Sequence, residues 1–258
     1  MLNIKGVVLA GGESSRMGRD KAQLKRDHRD MFSYTVEQLS NMELNGIVLS
    51  RSSNQLKNSA QTTKTGNVTQ IVRLSPLPVI EDVIEDNRPK LGPLGGIYSV
   101  AQLVKSAAIL IVPIDMPMLS TDDLTRLALV GSQFHKPVYF ENHYLPLYLP
   151  LNEQTRTYLE QVVSGKIKNR SVRGLCNHFG GIPLQAPNSE RLHNTNTPQQ
   201  WQAVQEILFK NDHTAEAPAE WTHGIKKSQT EFNFSFILGN PSWPIQKPKF
   251  LFPLILQC

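Results

Sequence analysis

The stretch VVLAGGESSRMGRDKA, residues 7–22, joins an apolar run to a glycine pair and then to a series of charged side chains. The run that enters it, IKGVVL at 4–9, is typical of a strand in a parallel sheet that helices cover on both faces. Glycine after such a strand lets main-chain N–H groups approach an anion closely. The stretch therefore predicts a strand followed by an anion-binding loop at the carboxyl edge of a sheet.

The loop matches neither of the two common phosphate-binding patterns. It lacks G-x-G-x-x-G, and Gly18 is followed by Arg19-Asp20 rather than by the Lys-Ser/Thr of a P-loop. It does bring Arg16 and Lys21 close to the glycines, and two cations beside exposed amides suit a triphosphate whose charge rises in the transition state. The alternative is a glycine-rich turn with solvated charges. Such a turn would account for any three of these residues, but hardly for all of them in this order.

Similar apolar runs recur along the first half of the chain. They lie at 46–49, 77–80 and 107–113, and each is followed by a loop signal and then by helix-like spacing. This alternation is typical of βα units. The sequence therefore predicts an α/β fold with a doubly wound, mostly parallel, Rossmann-like sheet over about the first 130 residues.

The second half predicts a small antiparallel addition to this sheet. PVYF at 137–140 and HYLPLYL at 143–149 have the pattern of a strand pair around Glu141-Asn142. Thr197 as N-cap and Pro198 in the first turn predict the start of the last helix. Helices are expected at 31–42, 95–105, 152–163, 168–176 and 198–209.

Two segments depart from the βα pattern. Residues 52–76 are polar and lack periodicity, which predicts a surface excursion with partial disorder. After residue 211 the composition changes, since five prolines and two tryptophans punctuate the rest of the chain. We expect one folded domain over 1–210 and a Pro- and aromatic-rich, poorly ordered extension over 211–258.

Composition excludes several classes of protein. The chain has 258 residues, 40% of them hydrophobic, which is enough to bury a core. Its net charge of +5 comes from lysines and arginines without a long basic run, so a solvated surface or small anionic ligands are favoured over nucleic acid. No apolar run approaches the roughly 18 residues of a membrane span, and we expect a cytoplasmic protein with no membrane partner. Cys176 and Cys258 are far apart, which argues against a disulfide framework or a structural zinc site.

The complete pattern of the loop, L-A-G-G-x-S-x-R-M-G-x-D-K at 9–21, resembles the signature of the molybdenum cofactor nucleotidyltransferases, within the larger group of GT-A-like nucleotidyltransferases. The resemblance covers residues 4–209 and is denser in the first half. Further segments fall where this family needs them: VIED at 79–82, GPLGG at 92–96, PIDMP at 113–117, RSVR at 170–173 and NTNTP at 194–198.

The resemblance implies catalytic and metal-binding roles for residues in these motifs. Lys21, Arg16 and Asp115 are the implied catalytic residues, and Asp115 is also the implied ligand of a Mg²⁺ cofactor. A carboxylate that ends a buried strand suits Mg²⁺, although an Asp that caps the turn before Pro117 explains this residue equally well on its own. The implied nucleotide-binding residues are Leu9, Ala10, Gly11, Gly12, Lys21, Ser50, Asp82, Gly92, Pro93 and Asp115.

The same resemblance implies a pterin-binding side, made of Arg170, Arg173, Asn194 and Asn196. Without the resemblance, two arginines three residues apart on a helix more often form a solvated face. The neighbouring Thr197-Pro198 step is explained by its role as a helix start.

The glycine motifs favour one branch of the family. Ala-Gly-Gly at 10–12 and Gly-Pro-Leu at 92–94 are similar to the guanylyl-transferring members, whereas cytidylyl-transferring relatives tend to have Ala-Ala-Gly. Two departures are Ser50, where Asn is expected, and Leu145, where a polar or charged residue usually precedes the proline.

The resemblance thus implies transfer of GMP from GTP to molybdopterin with release of pyrophosphate. GTP and molybdopterin are the implied substrates, and proteins of molybdenum cofactor synthesis or insertion are the implied partners. The alternatives are a cytidylyl- or sugar-phosphate nucleotidyltransferase of the same fold and a catalytically silent nucleotide-binding regulator.

Overall fold

A mixed sheet lies at the centre of the computed structural model, which describes residues 3–11, 21–26, 28–52, 62–65, 68–71, 80–86 and 91–214. Within these ranges nine strands form the main sheet, and a two-residue hairpin, Lys25–Arg26 with Arg29–Asp30, forms a second one. The strands are β1 Ile4–Leu9, β2 Lys25–Arg26, β3 Arg29–Asp30, β4 Ile47–Ser52, β5 Thr62–Thr65, β6 Val68–Ile71, β7 Ile80–Asp86, β8 Ala108–Pro113, β9 Val138–Phe140, β10 His143–Pro150 and β11 Ile182–Leu184.

Helices pack on both faces of the main sheet. They are α1 Met31–Ser40, α2 Pro93–Leu103, α3 Thr121–Phe134, α4 Glu153–Val163, α5 Val172–His178 and α6 Pro198–Thr214. Buried side chains of α1, α3 and α6 belong to one apolar cluster, and those of α2, α4 and α5 belong to another. Strand β8 separates the two clusters, because Leu110 and Val112 face the first while Ile109 and Ile111 face the second.

The strand order positions a ligand crevice. In the order β11-β9-β10-β8-β1-β4-β7-β6-β5, the chain places β4 and β7 on one side of β1 and then returns to place β8 on the other. All four of these strands are parallel. Open α/β sheets bind ligands where the strand order reverses, at the carboxyl ends of the strands. The crevice therefore lies at the ends of β1 and β8, and the predicted doubly wound fold is confirmed.

The predicted antiparallel addition is also confirmed. β9 and β10 pair antiparallel around Glu141-Asn142, and β10 pairs antiparallel with β8. Strand β11 then joins β9 in parallel. As a result, the amino end of β10 and the carboxyl ends of β8, β9 and β11 lie at one edge of the sheet.

The structure corrects the sequence analysis between β4 and α2. The polar segment 52–76 is not wholly irregular, because β5 and β6 form a hairpin that extends the sheet beside β7. Their β-branched residues favour pairing on this edge. The strand described here, β7, spans 80–86, so of the strand predicted at 77–80 only residue 80 lies within the described residues. The rest of segment 52–76 lies outside the described residues.

The helices of the second half agree with the predicted ones to within a few residues, and α3 follows β8, where the sequence predicted helix-like spacing without bounds. Its signal is a capping box, in which Ser120 Oγ accepts from the Asp123 N–H and the Asp123 carboxylate accepts from the Ser120 N–H. Helix α6 runs to Thr214, where the described residues end. The predicted extension over 211–258 therefore stays a prediction. Within the described part of the chain, no helix has the length and hydropathy to cross a bilayer.

Gly131 allows α3 to lie directly on β10. A methyl group at this position would overlap the ring of Tyr148. We expect Gly131→Ala to lower the free energy of unfolding by about 1–2 kcal/mol, because overlap with an aromatic ring puts the overpacking cost in the upper part of its range, about 2–3 kcal/mol, and alanine's better helix propensity returns about 1 kcal/mol. Urea unfolding measures the change. Gln133→Ala, an exposed site on the same helix, is the control, and a Gly131→Ala protein as stable as the wild type contradicts the close packing.

Candidate active site

Three side chains from distant parts of the sequence meet at the carboxyl edge. The Nζ atom of Lys21 donates to Asp115 Oδ2 at 3.1 Å and to Asn196 Oδ1 at 2.6 Å. The side chains of Lys21 and Asp115 are 18% and 16% exposed, so solvent reaches the pair only in part. A low local dielectric strengthens such contacts relative to water. Lysine is thus fixed at the crevice as a localised positive charge.

The second oxygen of Asp115 has a different environment. Oδ1 is buried and accepts no hydrogen bond from any described residue. A buried carboxylate oxygen without a partner is unfavourable, and it is also a typical ligand for a hard cation. Within the described ranges, no group of three or more His, Cys, Asp or Glu side chains could hold a metal. The arrangement fits Mg²⁺, which takes few protein ligands and keeps waters and substrate phosphates.

The main chain at Asp115 is held by the segment before α6. Thr195 donates to the Asp115 carbonyl oxygen through its backbone N–H at 2.8 Å and through its hydroxyl at 3.2 Å. Thr195 is buried, and Ile114 donates to the Leu9 carbonyl at 3.2 Å. These bonds fix Asp115 between the end of β1 and the segment before α6. Sequence reasoning missed Thr195, because only its asparagine neighbours matched the expected chemistry.

A capping box holds Asn196 in place. The Gln200 side chain accepts from the N–H groups of Asn196 at 2.8 Å and Thr197 at 3.1 Å, and the Gln200 N–H donates to the Thr197 hydroxyl at 3.3 Å. The predicted N-cap role of Thr197 is confirmed. The T-x-x-Q spacing at 197–200 is the sequence signal for this box.

The start of the predicted loop is only partly described. Leu9 and Ala10 are buried, and the Ala10 N–H donates to the Ser50 carbonyl at 2.9 Å. The Ala10 N–H is thus bonded within the chain, and the nucleotide-binding roles of Leu9, Ala10 and Gly11 stay predictions. Gly11 is exposed. The predicted site residues Gly12 and Arg16 lie outside the described residues.

Ser50 and Asp82 lie on strands beside the crevice. Ser50 is 1% exposed under α2, where a Cβ on Gly96 would come within 2.8 Å of its hydroxyl oxygen. The hydroxyl thus contributes to close strand–helix packing. The predicted strand ended at residue 80, which would put Asp82 after the strand. In the structure Asp82 pairs with Val48 inside β7. The nucleotide-binding roles of Ser50 and Asp82 stay predictions.

The turn before α2 has a backbone conformation that requires glycine. Gly92 has a φ of 60° and a ψ of −144° at the N-cap position, and Pro93 opens the helix. Side chains with a Cβ rarely adopt this conformation, whereas proline is well suited to the first helical position. Because α2 follows β7, its start lies at the carboxyl edge of the sheet. Gly92 and Pro93 are both exposed there. The predicted nucleotide-binding position is therefore open to solvent.

The residues predicted for the pterin side lie at the same edge. Helix α5 leads into β11, which runs parallel to β9, so the amino end of α5 points toward the carboxyl edge. Arg170 and Arg173 are exposed at this end, and Asn194 is exposed beside Thr195. Of the four predicted pterin-side residues, Asn196 is the one that directly contacts the Lys21–Asp115 pair.

A pair of histidines, not singled out in the sequence, borders this side. Burial lowers the pKa of His143 below its usual range, and the charge of nearby His193 lowers it further. We expect His193→Gln to raise the pKa of His143 without restoring it fully, because burial remains. An NMR titration of the imidazole C–H signals measures this shift. His178→Gln is the control, and identical His143 titrations in wild type and His193→Gln would contradict the contact.

Comparisons with known proteins agree with this fold and identify a family. The family model described as a MobA-like NTP transferase domain matches residues 6–175. A molybdenum cofactor guanylyltransferase from Xanthomonas euvesicatoria is 35% identical over 199 residues, which are 76% of this chain and 91% of the relative. One from Yersinia pestis is 29% identical over 126 residues, which are 48% and 55% of the two chains.

Solved structures share the fold at low sequence identity. The molybdopterin-guanine dinucleotide biosynthesis protein A from Archaeoglobus fulgidus has a TM-score of 0.60 at 18% identity and covers 80% of this chain and 99% of its own. A 2-C-methyl-D-erythritol 4-phosphate cytidylyltransferase from Thermus thermophilus has a TM-score of 0.54 at 10% identity, with 79% and 98% covered. At these identities the likeness concerns the fold alone. Because the family model spans most of the described domain and one relative matches along nearly its whole length, the chain belongs to the MobA-like NTP transferase family.

Proposed function

We propose that the protein transfers GMP from GTP to molybdopterin and so forms the guanine dinucleotide form of the cofactor. An oxygen of the terminal phosphate of molybdopterin bonds to the α-phosphorus of GTP. The bond from this phosphorus to the bridging oxygen of the β-phosphate breaks, and pyrophosphate leaves with the electron pair. The name of the Xanthomonas relative supports this reaction, since the match extends over 91% of that protein.

The observation that carries the proposal is the placement of Lys21 by Asp115 and Asn196. In phosphoryl and nucleotidyl transfer the protein performs little covalent chemistry, so positioning and charge stabilisation supply most of the rate. Contacts at 3.1 Å and 2.6 Å hold the Lys21 ammonium before substrate arrives. A fixed cation at this place stabilises charge that develops on the transferred group or on the leaving pyrophosphate.

A Mg²⁺ ion is part of the proposal. We assign to it the Asp115 Oδ1 atom, which has no hydrogen-bond partner among the described residues. When bound, such an ion neutralises charge on the triphosphate. Lys21 then orients the carboxylate through Oδ2, and Thr195 keeps the main chain of Asp115 in place.

The two sides of the crevice are assigned to different substrates in this proposal. The glycine-capped start of α2 follows β7, on the β1–β4–β7 side, which we assign to GTP. Arg170, Arg173 and Asn194 lie at the β8–β10–β9 side, which we assign to molybdopterin. Delivery of the product to a cofactor-insertion protein belongs to the same proposal.

The test is pyrophosphate release by the full chain with Mg²⁺, molybdopterin and each of the four nucleoside triphosphates in turn. Of the four nucleoside triphosphates, we expect only GTP to give pyrophosphate release. We expect no release when molybdopterin is omitted. Release with CTP would overturn the base assignment and keep the chemistry. Binding of GTP without release in any mixture would show a nucleotide-binding regulator and overturn the proposed enzyme.

A further inference from the structure

Two tyrosine rings lie in contact at the β9–β10 hairpin. The ring centroids of Tyr139 and Tyr144 are 4.9 Å apart, and the ring planes are inclined by 31°. Tyr139 is only 8% exposed, whereas Tyr144 is half-buried. Of the two rings, Tyr144 is therefore the one that an outside molecule can reach, and Tyr139 supports it from beneath.

The strand register places Tyr144 at the edge that holds Asp115. In the antiparallel β8–β10 pair, Leu147 lies opposite Ile111, so residues before Leu147 extend toward the carboxyl end of β8. Asp115 follows that end directly. The Tyr144 ring thus borders the crevice on the side assigned to molybdopterin.

A positive charge accompanies the ring pair. Burial raises the pKa of the Tyr139 hydroxyl, Cys176 and Tyr144 raise it further, and the Arg173 guanidinium acts in the opposite direction. Arg173 is exposed in the first turn of α5, which packs on the same face of the sheet as Tyr139. The ring pair and the Arg173 guanidinium therefore lie on the same face of the sheet, toward its carboxyl edge.

We propose that the Tyr144 ring, supported by Tyr139 and flanked by Arg173, is the platform on which the pterin ring system of the acceptor stacks. This inference rests on the proposed function and adds the residues that select a flat heterocyclic acceptor. Aromatic side chains stack on flat heterocycles, and a guanidinium stacks or hydrogen-bonds beside them. Both tyrosines lie on strands, Tyr139 on β9 and Tyr144 on β10, and not on a loop.

Ordinary sheet packing is the competing explanation. Aromatic pairs on neighbouring strands stabilise many hairpins. Packing alone predicts that loss of the Tyr144 ring changes stability and leaves ligand affinity unchanged. A platform predicts a selective loss of pterin affinity, with GTP affinity retained.

Fluorescence titration of the full chain with a phosphorylated pterin distinguishes these explanations. We expect Tyr144→Leu to raise the Kd for this probe about tenfold, and Tyr144→Phe to stay within about twofold, because a phenyl ring still stacks. The Kd for GTP should not change. Tyr98→Leu is the matched control, since Tyr98 is half-buried against the same apolar cluster on α2.

The outcomes separate this inference from the proposed function. Equal pterin affinity in wild type and Tyr144→Leu, or no pterin binding by the wild type, overturns the platform whether or not pyrophosphate is released. Absence of pyrophosphate release with GTP and molybdopterin overturns the proposed function alone. If Tyr144→Leu also loses GTP binding, the pterin affinity of Arg173→Gln is the deciding measurement, because Arg173 is exposed and its replacement leaves the packing intact. Unchanged pterin affinity in Arg173→Gln overturns the platform. Weaker pterin affinity supports it.

Discussion

Replacing Lys21 by alanine is expected to lower kcat for guanylyl transfer by about 10²- to 10³-fold, while the KM for GTP changes far less. Lys21 is held by Asp115 and Asn196 before substrate binds, so its charge is placed for the transition state and not chiefly for the ground state. Removal of an interaction made mainly in the transition state lowers kcat and kcat/KM together. Steady-state kinetics with varied GTP measure both parameters.

Lys25→Ala is the matched control for this experiment. Lys25 is an exposed lysine of β2, four residues farther along the chain, and its removal changes net charge by the same amount. We expect its kcat to equal that of the wild type. If Lys21→Ala raises only the KM for GTP, lysine contributes to binding and the transition-state role is wrong.

Asp115→Asn is expected to have a comparable or larger effect. The amide has nearly the same shape and leaves the backbone carbonyl that Thr195 binds in place, but it lacks the negative charge. We expect kcat to fall by about 10³-fold, which corresponds to the several kcal/mol that a catalytic metal supplies. The Mg²⁺ concentration for half-maximal activity should rise as well. Activity against Mg²⁺ concentration and Mn²⁺ binding by EPR measure these two effects.

Asp122→Asn controls for the loss of one carboxylate elsewhere. Asp122 is exposed in the first turn of α3, seven residues beyond Asp115. We expect this variant to keep the activity and metal dependence of the wild type. An Asp115→Asn protein with an unchanged Mg²⁺ requirement would show that the ion binds elsewhere.

The site could be predicted from sequence where chemistry and position coincide. Asp115 closely follows one predicted strand and Lys21 ends the loop after another, and parallel strands bring their carboxyl ends to one edge. Asn196 followed from the family motif. Thr195 could not be predicted, because its role depends on a backbone carbonyl 80 residues away, and no residue type signals a carbonyl acceptor.

The strands between β4 and α2 were harder to predict for a physical reason. A hairpin such as β5–β6 is defined by its pairing with β7, and edge strands need little hydrophobic alternation. The apolar residues at 77–80 predicted a strand that ends at residue 80, whereas β7 continues to Asp86 through a stretch in which acidic residues interrupt the apolar ones. The buried strands β1 and β8 were predictable because burial on both faces leaves a continuous apolar run.

The bonds between the segment before α6 and the end of β8 also bear on the order in which the candidate active site forms while the chain is synthesised. The Lys21–Asn196 contact joins residues 175 positions apart, and the Thr195–Asp115 bond spans 80 positions. Such distant contacts form late, after the loops between them have closed. On the ribosome, the strands from β1 to β10 are synthesised before residues 195 and 196, so a nascent chain can hold Lys21 through Asp115 but not yet through Asn196. The second contact to the lysine, and the bond from Thr195 that supports Asp115, are therefore added only when nearly the whole domain has been made.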